Sequence, residues 1–166
     1  LVKDFSGDYN ANNLSKAIIA LVGCELAGII GSVFTVSQIP TWYAGLMKPP
    51  LNPPGWIFGP GWTILYALMG IALYFGWKSN ATQKDKQRAL VIFGVQLFLN
   101  VIWSIIFFGL HSPAFALVDI MAMWCAIVAT IIVFGKISRS AAYLLVPYLL
   151  WVTFAGYLNY VVWMLN

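Results

Sequence analysis

Groups able to do acid–base, nucleophilic or metal chemistry are sparse in this 166-residue chain, which holds nine Lys or Arg, five Asp or Glu, one His and two Cys. His111 stands alone, so no Ser–His pair or metal cluster can form around it, and no glycine-rich phosphate loop is present. Cys24 and Cys125 lie in apolar runs without metal-ligand spacing, where a cysteine behaves as a small hydrophobe. Neither a metal nor a resident cofactor is expected. Glu25 and Asp119 sit deep inside apolar stretches that contain no His, Lys or Arg to pair with them. They could relay protons, or only hydrogen-bond or stay protonated. Amides are the other polar groups at such depth. Gln96 and Asn100 are one helical turn apart, and Trp103 and Phe107 continue their face. Trp151, Ala155 and Asn159 share a second face, and Trp62, Tyr66 and Met69 a third. Turned inward, these stripes would enclose an aromatic, mostly apolar cavity with a few amides, the usual make-up of a small-molecule site. The alternative is that Gln96, Asn100 and Asn159 only bond one helix to another.

The elements that carry these residues are set by composition. The chain is 61% hydrophobic and 8% charged, against about 25% charged in a soluble domain. A bilayer core needs roughly 20 apolar residues as a helix. Five segments qualify, at about 17–39, 56–77, 89–109, 113–134 and 141–164, each apolar all round rather than striped. The expected fold is an all-α integral membrane protein, a five-transmembrane-helix bundle over residues 17–166, preceded by a polar tail at 1–16. Residues 1–13 are too polar for a signal-peptide core.

With five crossings, Lys3, Lys16, Lys78, Lys84, Lys86, Arg88, Lys136 and Arg139 share one side, and only Lys48 lies on the other. The positive-inside rule then places the N-terminus in the cytoplasm and the C-terminus opposite. The same asymmetry explains the net charge of +4 without a nucleic-acid partner. The first loop, 40–55, carries Pro40, Pro49, Pro50, Pro53 and Pro54 and so is stiff. It is either a rigid connector or, with Trp42, Tyr43 and Lys48 on it, a lid over a cavity. Trp42, Trp56, Trp77 and Trp163 suit interfacial belts, whereas Trp62, Trp103 and Trp151 lie deeper. Gly23, Ala27 and Gly31, with Ala122 and Ala126, suit close helix contact within the bundle or in a dimer.

The run WYAGLMKPPLNPPGWIFGPGWTILYALMG (Trp42 to Gly70) resembles the signature of the translocator protein family, also known as tryptophan-rich sensory proteins or peripheral benzodiazepine receptors. QLFLNVIWSIIFFG, ALVDIM and PYLLWVTFAGYLNYVVW resemble its later blocks, in order. The resemblance implies a five-helix bundle, commonly a homodimer, in a lipid bilayer, with a ligand pocket capped by the first loop. It implies tetrapyrrole ligands such as protoporphyrin and haem, sterols in animals, and synthetic drugs. Carried over by position, ligand binding falls on Tyr43, Pro53, Trp62, Asn100, Trp103, Trp151 and Ala155, with Trp42, Lys48, Pro49 and Pro54 in the lid. Some bacterial relatives degrade porphyrin in light, and the tryptophans implicated there correspond to Trp62 and Trp151. Two departures stand out. Leu51 replaces an aromatic residue found in many relatives, and no Lys or Arg follows Tyr160, so the animal sterol motif is incomplete. The resemblance therefore favours a microbial tetrapyrrole protein of a prokaryotic cell membrane.

Three functions follow as expectations. The chain could be a receptor, sensor or transporter for a flat hydrophobic ligand, with Lys48 pairing a propionate. It could degrade porphyrin in light through Trp62 and Trp151. It could be a small proton-coupled transporter using Glu25 and Asp119.

Overall fold

Each apolar run must satisfy its own backbone, because hydrocarbon offers no hydrogen-bond partner, and a helix does so within one segment. The computed structural model describes residues 5–166, with side chains from Asn12 onward. Its helices are α1 (Phe5–Thr35), α2 (Trp42–Gly45), α3 (Phe58–Lys78), α4 (Gln83–Ser104), α5 (Pro113–Ile137), α6 (Arg139–Leu144) and α7 (Val146–Leu165). A 3-10 turn, Gly55–Ile57, leads into α3, and a π turn, Ile105–Gly109, continues α4. No strand occurs among the described residues. Five stretches are long and apolar enough to cross a membrane: Asn12–Thr35, Gly55–Lys78, Gln83–Gly109, Pro113–Ile137 and Arg139–Leu165. The chain is an all-α, multi-pass integral membrane protein.

Helix ends depart from the expected limits for identifiable reasons. Of the expected tail at 1–16, residues 1–4 lie outside the described residues, and α1 already begins at Phe5. Hydropathy marks where a helix enters lipid, not where it starts. The helix also stops at Thr35 rather than Ile39. Pro40 ahead cannot donate to a continuing ladder and disfavours a helical Ile39. α4 starts at Gln83, before the apolar run, because the Thr82 hydroxyl caps it by accepting from the Asp85 backbone N–H at 3.2 Å. The last crossing is not one helix: it breaks at Leu145 and restarts with Pro147 in the first turn of α7.

α1 packs on α3 and α4, α5 packs on α4 and α7, and α3 reaches α6 and, lightly, α7. The spans therefore close a ring in the order α1, α3, α7, α5, α4. Glycine sets the α1–α3 approach at two places. A Cβ on Gly70 would lie 2.8 Å from the Leu21 Cα, and one on Gly28 would lie 2.5 Å from the Tyr66 ring. Neither belongs to the small-residue stripes named above; a Cβ on Gly23 would meet nothing within 4 Å. Below these crossings Met69, Met123, Ile127, Phe134 and Tyr148 fill the interior. The cavity lies toward the Thr35 end of α1, with Gly28 and Tyr66 in its lining.

Candidate functional site

The rotation of each helix decides what it presents to that cavity. α3 supplies Phe58, Trp62 and Tyr66 at successive turns. α4 supplies Asn100, Trp103 and Ser104, and the π turn after it brings Phe107 and Phe108 inward. A single widened turn re-aims side chains in this way, and such turns recur at functional sites. α7 supplies Trp151, Ala155, Leu158 and Asn159. The roof is Tyr43, in the short α2 of the first loop. The enclosed volume is about 240 Å³.

Aromatic rings make most of the wall. Trp62 meets Trp151 edge-on with centroids 6.4 Å apart and leans on Tyr66 at 5.7 Å. Trp103 stacks on Phe107 at 4.9 Å. The polar groups behind them are tied helix to helix. The Tyr66 hydroxyl donates to Asn100 Oδ1, and Asn100 Nδ2 donates to the Tyr148 hydroxyl at 2.9 Å. Trp103 Nε1 donates to Asn159 Oδ1 at 3.0 Å, and Asn159 Nδ2 donates to the Pro113 carbonyl at 2.7 Å. Asn100 and Asn159 thus both line the cavity and join helices. Gln96 does not line it; buried below, it reaches only Met69 Sδ at 3.8 Å. Met69 is likewise core.

The first loop is docked at several points. The Tyr43 hydroxyl donates to Asn52 Oδ1 at 2.5 Å. Burial pushes that phenol up to about 12, against the smaller opposing effect of the Asn52 hydrogen bond. Trp42 stacks on His111 at 4.4 Å, and His111 Nε2 lies 3.0 Å from Gln38 Oε1. The Asn166 side chain accepts from the Met47 N–H and donates to the Met47 carbonyl, both at 3.0 Å. Loop, α4–α5 turn and C-terminus therefore sit at one end of the bundle.

Of the residues carried over by position, Tyr43, Trp62, Asn100, Trp103, Trp151 and Ala155 line the cavity, and Pro53 does not. Pro53 is held within the loop, where its carbonyl accepts from Asn52 Nδ2. Among the lid residues, Trp42, Lys48, Pro49 and Pro54 lie outside the lining. Lys48 is turned back on the loop: its ammonium donates to the Ala44 and Leu46 carbonyls at 3.1 and 2.7 Å and lies 5.0 Å over the Tyr43 ring. It is not aimed at a ligand carboxylate. Asp119 is buried away from the cavity.

The stripes of the second, third and fifth crossings do not close the cavity alone. A fourth wall comes from α1 and the turn after it, where Glu25, Ile29, Ser32 and Val36 share one face at offsets of four, seven and eleven. That spacing, with two polar residues on an otherwise apolar helix, was the available signal. The α1 side is also where the cavity opens. Ile29 on α1, Val36 just past its end, and Gly59 and Thr63 on α3 line it yet are exposed. The opening faces sideways, toward acyl chains.

Residues 20–164 match the TspO/MBR family. The Tryptophan-rich protein TspO of Archaeoglobus fulgidus is 43% identical over 154 residues, covering 93% of this chain and 99% of the relative. The human Translocator protein is 42% identical over 142 residues, covering 84% of this chain and 83% of its own length. The Tryptophan-rich sensory protein of Cereibacter sphaeroides is 39% identical over 146 residues, 88% of each chain.

Proposed function

This chain belongs to the TspO/MBR family, and from that premise we propose that it is a membrane receptor or sensor for a flat hydrophobic ligand of the tetrapyrrole class, such as protoporphyrin or haem. The observation that carries the reading is the convergence of Trp62, Trp103 and Trp151 on one apolar cavity beneath the first loop. Aromatic faces and edges bind a planar macrocycle by offset stacking and by area. The cavity, about 240 Å³, is below the roughly 300–1,000 Å³ of drug-sized sites. A macrocycle would accordingly lie partly in the side opening between α1 and α3, its apolar edge toward lipid. The name of the Cereibacter relative, a sensory protein, agrees with sensing.

The reading includes a cytoplasmic N-terminus in a prokaryotic cell membrane, from the Lys and Arg asymmetry, and a homodimer. Light-driven porphyrin breakdown is the second reading, favoured by the edge-on contact of Trp62 and Trp151 at 6.4 Å inside the cavity. A proton relay between Glu25 and Asp119 gains no support, since only Glu25 reaches the cavity.

Titration of the reconstituted protein with protoporphyrin, in darkness and under illumination, tests both. Saturable quenching of tryptophan fluorescence in the dark, with an intact Soret band, is the expected result. Light-dependent bleaching that disappears in Trp62→Phe and Trp151→Phe would establish the enzyme. No saturable quenching in either condition refutes tetrapyrrole binding.

A further inference from the structure

In a cavity walled off from water, the uncommitted donors and acceptors define what a ligand must bring. Most of the lining hydroxyls are committed here. Ser32, Thr35 and Thr63 each donate to a carbonyl of their own helix, at 2.7, 3.0 and 3.0 Å. The Tyr66 hydroxyl and the Trp103 indole are held by Asn100 and Asn159. Ser104, beside Gly31, is the lining hydroxyl that none of these bonds engages, and the Trp151 indole N–H, on the α7 wall, has no partner among the described residues.

Glu25 lines the same cavity. It lies near the middle of the Asn12–Thr35 span, half-buried, on the lower edge of the side opening. Among the described residues no hydrogen bond or ion pair engages its carboxyl group. A carboxyl group at this depth is costly without a partner. The cavity's one acid thus takes none of the lining's donors, which are either bonded elsewhere or, like the Trp151 indole, unbonded.

We propose that Glu25 is a specificity-determining residue, pairing with a basic nitrogen on a planar hydrophobic ligand, so that the site favours such bases over neutral or anionic ligands of the same shape. The proposal rests on the reading of this cavity as a ligand site. On a tetrapyrrole, Glu25 would face the ring nitrogens and repel the carboxylates, turning them toward the lid. Ligand orientation would then be set from the floor, not by Lys48 above.

The test uses the full chain in phosphatidylcholine nanodiscs, titrated by tryptophan quenching with aminoacridine, a planar base, and methylanthracene, its neutral counterpart. Protein-free discs correct for partitioning. In the wild type the base should bind at least about tenfold more tightly than the neutral ring, since an unscreened pair in a low-dielectric site is worth that much. Glu25→Gln should shrink the ratio to within about threefold, and Glu25→Asp, which keeps the acid, should retain a preference. Equal wild-type affinities overturn the proposal without any variant, as does a ratio unchanged by Glu25→Gln. Protoporphyrin, run in parallel, separates the two readings. If it fails to bind while the base binds through Glu25, tetrapyrrole recognition falls and Glu25 stands. If it binds and no preference for the base exists, Glu25 falls alone.

Discussion

Replacing Asn100 with leucine should destabilise the bundle by about 1–3 kcal/mol, and the loss should depend on Tyr66. Asn100 is 3% exposed, accepts from the Tyr66 hydroxyl and donates to the Tyr148 hydroxyl at 2.9 Å. Leucine conserves the volume, so the cavity term is small and the polar loss dominates. Tyr66 would be left with no acceptor for its proton. Tyr148 would lose a donor but still give its own proton to Met123 Sδ at 3.5 Å. An orphaned buried group costs roughly 1–3 kcal/mol in protein interiors. Interhelical polar contacts in bilayers average about 0.6 and reach about 1.7 kcal/mol, because the unfolded reference also finds partners. In Tyr66→Phe the first contact is already gone, so Asn100→Leu should then cost about half as much. The coupling energy expected from this double-mutant cycle is on the order of 0.5–1.5 kcal/mol. Equilibrium unfolding in mixed micelles at increasing dodecyl sulfate fraction, followed by circular dichroism, measures it. Additivity within about 0.3 kcal/mol would refute the argument, because neighbours sharing a hydrogen bond do not act independently.

Other features give further outcomes. Gly70→Ala should destabilise by about 1–3 kcal/mol in the same assay, because the new Cβ meets the Leu21 backbone 2.8 Å away and a helix axis must move. Gly23→Ala, with nothing within 4 Å, should be close to neutral. Tyr43 should ionise at about 12 rather than its ordinary 10, read as the tyrosinate absorbance of wild type minus Tyr43→Phe. Its folded pKa is raised, so its contribution to lid docking is complete below about pH 10 and declines as pH climbs toward 12. Asn166→Ala removes both bonds to Met47 and should speed amide exchange at Met47 severalfold while leaving α3 and α4 protected.

Much of this protein was legible from residue order because a membrane reads composition directly. Each crossing is an apolar run bounded by polar or Pro and Gly residues, and the cost of an unpaired backbone group in lipid makes each run a helix. The inward faces of α3, α4 and α7 were legible too, since aromatic and amide residues recur there at helical spacing. The aim of Lys48 was not legible, because spacing places a residue in a loop but does not aim its side chain; here two loop carbonyls capture the ammonium. Pro53 was drawn off the cavity by the same loop, through Asn52. The break at Leu145 had its signal in Pro147, masked by the apolar run on either side.

The linear sequence determined by itself that the chain crosses a bilayer five times, and which helical faces carry rings and amides, because hydropathy and the 3.6-residue period are local properties. Only the tertiary structure decided that α1 forms the fourth wall, that Glu25 has no donor among the described residues, and that the cavity opens between α1 and α3. Those outcomes depend on how closely Gly28 and Gly70 let two helices approach. That distance belongs to a pair of surfaces and is written in neither helix alone.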